Sequence, residues 1–269
     1  MNNWTSDYIN VNSLNLHYTR TGGDKPPLIL LHGYADNGLC WTRAAQVFEK
    51  EFDVIMPDFR NHGLSSISSK GIDSYEMMQE IAELIKTLEL DKTWILGHSM
   101  GARITSLLAK EYSPLVKGIV LVEPAFNFKP SLTFREIMIY FAFSMRLSSM
   151  RNKTEEEIIE RSTKQNTDWN IIDQKSWARA QYQFAQLKQK PSLRQLRTDR
   201  VLYREVLPYI KVPILLMVAE NGVIPKKYFQ SLKDSFQEGE WVLYEQTGYN
   251  IQREQFDSFI NTVRNFVQS

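Results

Sequence analysis

Apolar and polar positions along the chain follow two rhythms. Two short alternating segments, around Tyr8–Val11 and Leu14–Thr19, open the sequence, and the Asn12-Ser13 pair between them suits a hairpin turn. After the breakers Gly22, Gly23, Pro26 and Pro27 comes a continuous apolar run, Leu28–Leu31. Similar runs recur at Asp53–Met56, Thr93–Leu96, Gly118–Val122, Ile214–Val218 and Trp241–Tyr244. Each is short, rich in Val, Ile and Leu, and bounded by turn residues, which predicts strands buried on both faces, as in parallel sheets covered by helices.

Helical spacing fills the gaps. Asp73 followed by Glu76 forms a capping-box pattern that predicts a helix through Leu88. Met100–Tyr112 keeps Ile104, Leu107 and Leu108 on one face, and Phe256, Phe259, Ile260, Val263 and Phe266–Val267 repeat at helical intervals. Strands alternating with helices after an antiparallel start predict an α/β fold with a doubly wound sheet.

From Phe126 to about Pro208 the alternation stops. This stretch shows only helical patterns rich in aromatic, Met and charged residues, with Thr154 and Glu157 as a second capping box. The expected organisation is therefore a core formed by residues 1–125 and 209–269, with a helical cap inserted at 126–208. Within the cap, Phe134, Ile137, Met138, Tyr140, Phe141, Phe143 and Met145 crowd twelve positions. Core packing is expected to explain most of them, with the remainder lining an apolar pocket or serving partner or membrane contact. Trp169, Trp177, Tyr182 and Phe184 read the same way, and Glu155–Arg161 reads as a solvated helix face.

Composition narrows the function classes. Lys+Arg number 32 and Asp+Glu 31 in 269 residues, a formal net charge of +1, and no like-charge block suggests a nucleic-acid footprint. A single cysteine, Cys40, rules out an intramolecular disulfide and gives no sign of an oxidising compartment. The opening MNNWTSDYIN has no basic start and no apolar run, and the most apolar stretch, Ile137–Met145, is too short to cross a bilayer. A cytoplasmic protein without an integral membrane segment is expected. The sequence contains no metal-ligand spacing and no phosphate-cradling Gly-rich motif after a strand, so no cofactor is expected.

The sharpest chemical signal is Gly97-His98-Ser99-Met100-Gly101, which matches G-x-S-x-G between a predicted strand and a predicted helix. Such a turn packs its glycines closely and presents the serine hydroxyl above the sheet, with a helix N-terminus behind it. Leu31-His32-Gly33-Tyr34 follows the first predicted parallel strand, where backbone N–H groups of Tyr34 and Met100 could converge on a developing oxyanion. His32 reads as structural. On these motifs the chain resembles the α/β-hydrolase superfamily. The stretch Asp58-Phe59-Arg60-Asn61-His62-Gly63-Leu64-Ser65 also looks like that family's D-x-R-G-x-G-x-S loop, with Asn61 replacing a glycine. We read it as a structural turn held by an Asp/Arg pair. The resemblance implies an eight-stranded, mostly parallel sheet with helices on both faces and a cap after the sixth strand. It also implies hydrolysis of esters, lactones or amides.

The catalytic frame departs from the family at two places. The histidine normally follows the last strand in a Gly-His context, but Gly248-Tyr249 stands there, and the four histidines, at 17, 32, 62 and 98, all precede Ser99. The acid normally lies in G-x-x-D after the seventh strand, where Ala219-Glu220-Asn221-Gly222 places a glycine. Glu123, at the end of the sixth strand, is the favoured substitute, as in relatives such as haloalkane dehalogenases; Glu220 is the alternative. Tyr249 as base would need a strong positive neighbour such as Arg253, because a phenol near pKa 10 is almost wholly protonated at neutral pH. Two functions remain open. One is a carboxylic-ester or lactone hydrolase, or a related acyl-transfer or lyase activity, impaired by Tyr249. The other is a catalytically silent protein that binds a small apolar, acyl, aryl or lactone ligand. The sequence leaves the oligomeric state unspecified.

Overall fold

The computed structural model describes residues 4–187 and 192–268. Positions 188–191, which fall inside the expected insertion at 126–208, lie outside the described residues, as do 1–3 and 269. Strands β1 (Thr5–Val11) and β2 (Leu14–Arg20) form the hairpin, and Asn12 and Ser13 between them take positive φ of 50° and 67°. Two consecutive left-handed residues give the turn a twist that suits a two-residue hairpin. Then follow β3 (Pro27–Leu31), α1 (Thr42–Phe48), β4 (Asp53–Pro57), α2 (Ser74–Thr87), β5 (Thr93–His98), α3 (Met100–Glu111) and β6 (Val116–Val122). Asp73 caps α2 by accepting from the N–H groups of Tyr75 and Glu76, both at 3.0 Å. The Glu76 side chain does not complete the expected box, because it pairs with Arg60 and Lys70 instead.

Between β6 and the next strand the chain forms α4 (Phe134–Met150), α5 (Glu155–Gln165), α6 (Ile171–Gln186) and α7 (Leu193–Thr198), with no strand among the described residues. The Thr154/Glu157 box opens α5 as expected, and a Thr133/Glu136 box, not anticipated from sequence, opens α4. The chain closes with β7 (Ile214–Ala219), α8 (Phe229–Lys233), β8 (Gly239–Tyr244), α9 (Ile251–Glu254) and α10 (Phe256–Gln268).

All eight strands make one sheet in the order β1-β2-β4-β3-β5-β6-β7-β8. β2 is antiparallel to both β1 and β4, and every later pairing is parallel. Period-two alternation divides the buried strand residues between the two faces. Ile29, Leu31, Ile95, Ile119 and Leu121 meet α2 and α3 on one side. Leu28, Leu30, Leu96, Val120 and Val122 meet α1 and α10 on the other. Each fully buried aliphatic side chain of this kind contributes roughly 1.5–3 kcal/mol.

Two packing expectations need correction. In α4, Phe134 is 77% and Met145 73% exposed, and Met138 and Phe141 are also exposed, so core packing does not explain them. The helix is apolar on more than one face. Only the face carrying Phe143, Leu147 and Met150 packs inward, against Phe184 and Ala178 of α6. The loop after β4 is likewise not held by an Asp/Arg pair. Asp58 accepts from His17 Nδ1 at 2.8 Å and from the N–H groups of Gly38 and Leu64. Arg60 turns away to Glu76 and the buried Glu80 of α2. Asn61 tolerates the glycine position by adopting φ 62°.

Candidate active site

Ser99 occupies the turn between β5 and α3 with φ 54° and ψ −115°, a region that costs a non-glycine residue about 1–3 kcal/mol. Neighbouring backbone pins it there. Ser99 N–H donates to Val122 O at 2.9 Å, and Ser99 O accepts from Arg103 and Ala125 N–H at 3.1 Å each. Although it sits at the N-cap, its side chain makes no capping bond to α3. The flanking glycines are required by close approach. A Cβ at Gly97 would lie 2.5 Å from Ala102 N, and one at Gly101 would lie 2.3 Å from Leu31 O. A Cβ at Gly33 would lie 3.4 Å from Ser99 Cβ, so the loop after β3 abuts the turn. Tyr34 on that loop and Met100, the first residue of α3, both line the cavity above Ser99. The Met100 N–H belongs to the first helical turn, whose donors have no partner within the helix.

None of the four histidines hydrogen-bonds the Ser99 hydroxyl. His17 is engaged by Asp58 and Ser6. His32 contacts Gly33 O through Nδ1 and accepts from Phe59 N–H through Nε2, which supports its structural reading. His62 contacts Arg60 O. His98 directs Nε2 to Tyr249 O at 3.2 Å, with the two rings 4.6 Å apart. Burial and then the Arg253 charge push His98 down to about 3, so it is neutral at ordinary pH. Burial likewise pushes His62 down to about 3.

Tyr249 lines the same cavity as Ser99, near enough for the serine to pull its pKa down. Burial raises its phenol to about 12, and the pull of Ser99 and Arg253 does not overcome this. Arg253 is committed to Asp36 at 2.6 Å, in a pair whose side chains are 2% and 7% exposed. The cation needed to activate the phenol is thus paired with Asp36.

Glu123 also takes a left-handed conformation, φ 44°, and is fully buried. Its carboxyl accepts from Ala219 N–H at 2.7 Å and Val223 N–H at 2.8 Å. Burial raises it to about 7, opposed by those donors and the Ile224 N–H. A Cβ at Gly222 would lie 2.2 Å from its Oε2, so the Glu123 carboxyl fills the space a side chain at 222 would need. Glu220 points elsewhere: it binds Lys226 at 2.9 Å and Gln246 N–H at 3.0 Å.

Above Ser99 lies a cavity of about 950 Å³. Its floor includes Ser99, Tyr34 and Tyr249, and α4 and α6 contribute Tyr140, Phe143, Arg146 and Trp177 to its walls. The structure thus brings Ser99, Tyr34, Met100 and Tyr249 to one cavity, with Glu123 behind Tyr249 and close enough to raise its pKa, and leaves Glu220 outside. Sequence reasoning missed Asp36 and Arg146. Asp36 is joined to its partner across 217 positions and Arg146 to Gln181 across 35, separations that no local pattern reports.

The chain matches the alpha/beta hydrolase fold family over residues 26–254, and it belongs to that family. Its relatives include the N-formylmaleamate deformylase of Pseudomonas putida (strain ATCC 47054 / KT2440), 24% identical over 96% of this chain and 95% of that enzyme. The soluble epoxide hydrolase of Corynebacterium sp. (strain C12) is 30% identical over 42% of this chain, and that match spans only 39% of the enzyme. Among solved structures, E-2-(acetamidomethylene)succinate hydrolase superposes with a TM-score of 0.79 at 18% identity, covering 99% of this chain and 100% of that one. At that identity the likeness speaks for the fold.

Proposed function

We propose that this protein is a serine hydrolase of small ester or lactone bonds, or a related acyl-transfer enzyme, whose turnover is slowed by Tyr249. Ser99 is the nucleophile. The observation that carries this reading is the Ser99 backbone, held in a costly conformation beneath an accessible cavity with its hydroxyl released from capping. The Tyr34 and Met100 N–H groups form the oxyanion hole, and the division into a core (1–125, 209–269) and a cap (126–208) gives the cavity its roof. Attack of Ser99 Oγ on the acyl carbon transfers its proton to water or to the substrate, because a phenol near 12 is a poor acceptor. Glu123 is the remnant acid, since its carboxyl occupies the space beside Gly222. Relatives named as a deformylase and an epoxide hydrolase support the hydrolase class.

The second reading, a ligand-binding protein without turnover, is favoured by one feature. A phenol with its pKa pushed up to about 12 stands where a base belongs, and all four histidines are bonded elsewhere than to Ser99. Labelling by a fluorophosphonate separates the two readings. Covalent modification that maps to Ser99 and vanishes in Ser99→Ala supports the hydrolase, and absence of any adduct supports the silent binder.

A further inference from the structure

Arg146 is, among the described residues, the half-buried arginine of the cavity wall that forms no ion pair. Among the described residues, six cationic side chains line the cavity against three carboxylates. All three carboxylates are already committed: Asp36 to Arg253, Asp199 to Arg103 and Glu136 to Arg200. Arg146 forms no ion pair among the described residues. Its Nη2 donates to Gln181 Oε1 at 2.9 Å, and its buried Nε has no partner among the described residues. Gln181 is itself fixed, because its Nε2 donates to Ala35 O at 2.6 Å, so the amide oxygen is held toward Arg146. The rings of Phe143 and Trp177 flank the guanidinium at 4.9 and 5.6 Å.

A cation that has lost much of its water normally gains an anionic partner. Here a neutral amide and two aromatic rings hold the guanidinium in place without neutralising it. Burial and the Arg161 charge lower the pKa of Arg146, and Asp36 and Tyr249 oppose them. An anion seated on Arg146 would therefore lie within the electrostatic reach of the Tyr249 hydroxyl, in the cavity that Ser99 also lines.

We propose that the ligand of this cavity carries a carboxylate, and that Arg146 binds it while the acyl group faces Ser99. One unpaired guanidinium matches one carboxylate, whose two oxygens suit its planar donors. The aromatic neighbours suit a short apolar spacer between that carboxylate and the acyl carbon. This deepens the reading of the cavity as a substrate site but needs no turnover, so it can fail or succeed independently of Ser99 labelling.

The test is calorimetric binding of 3-phenylpropionate and of 3-phenylpropionamide, which match in shape and differ in charge. In the unsubstituted protein the acid is expected to bind about ten- to a hundredfold more tightly than the amide. Arg146→Gln should abolish that preference while leaving amide affinity within about twofold, and Arg146→Lys should keep part of it. Retained preference in Arg146→Lys excludes simple collapse of the wall. Equal affinities in the unsubstituted protein, including no binding of either compound, overturn the proposal. So does a preference that survives Arg146→Gln. Tighter binding of phenyl phosphate than of 3-phenylpropionate overturns the carboxylate assignment.

Discussion

Placing an aspartate at position 222, where the family's acid usually lies, should damage this protein unless Glu123 is removed at the same time. The Gly222 backbone is not left-handed, so the obstacle is the neighbour and not the conformation. A Cβ there would lie 2.2, 2.4 and 2.6 Å from the three carboxyl atoms of Glu123. That carboxyl cannot swing away freely, because it is fully buried and holds the N–H groups of Ala219 and Val223. Overpacking costs about 1–3 kcal/mol, and loosening two hydrogen bonds adds about 0.5–1.5 kcal/mol each. The total for Gly222→Asp is roughly 2–6 kcal/mol, a fall in Tm of roughly 4–24 °C for a chain of this size. Glu123→Gly suits the left-handed backbone at 123 and vacates the space. The double variant Glu123→Gly/Gly222→Asp should then be no less stable than Glu123→Gly alone, giving a coupling energy of at least about 2 kcal/mol. Calorimetric or urea unfolding of the four proteins measures this cycle. Additive effects, or a Gly222→Asp protein as stable as the unsubstituted one, would show that the two positions do not share one site.

The buried ionisable groups make stability depend on pH in opposing directions. His62 and His98 sit at about 3 in the fold against 6.5 unfolded, so the unfolded chain binds more protons as pH falls, and each removes about 2 kcal/mol between pH 7 and 5. Glu123, raised from 4.5 to about 7, binds its proton earlier in the folded state and returns about 2 kcal/mol over the same window. These three groups together give a net loss of about 1–2 kcal/mol between pH 7 and 5 in urea unfolding, deepening to about 4 kcal/mol in Glu123→Gln. The buried His32, also lowered, acts in the same direction as the other two histidines. A variant with an unchanged pH slope would mean that Glu123 titrates normally.

Much of the fold was legible because period-two burial and helix caps are local properties. Each of the six apolar runs read as a strand became one, and the Thr154/Glu157 pair became a cap. Ser99 was legible for the same reason, since its glycines are demanded by contacts within a strand-turn-helix unit. What escaped were choices among partners. Arg60 found Glu80 rather than Asp58 because α2 lies across the loop, a matter of packing. The exposed face of α4 escaped because an apolar stripe announces burial without saying against what. Arg146 escaped because its significance lies in the carboxylates around it already being engaged by other arginines.

The central claim is that an acylatable hydroxyl at 99 lacks a proton acceptor. The rate constant for fluorophosphonate labelling of Ser99, compared between the unsubstituted protein and Tyr249→His, tests it most directly. A positioned imidazole is worth about 10²–10⁴-fold in such a step, so the histidine variant should label faster by that factor and follow an ionisation near 6.5. Equal labelling rates in the two proteins would mean that Ser99 already has its base, and the account of a slowed catalyst would be wrong.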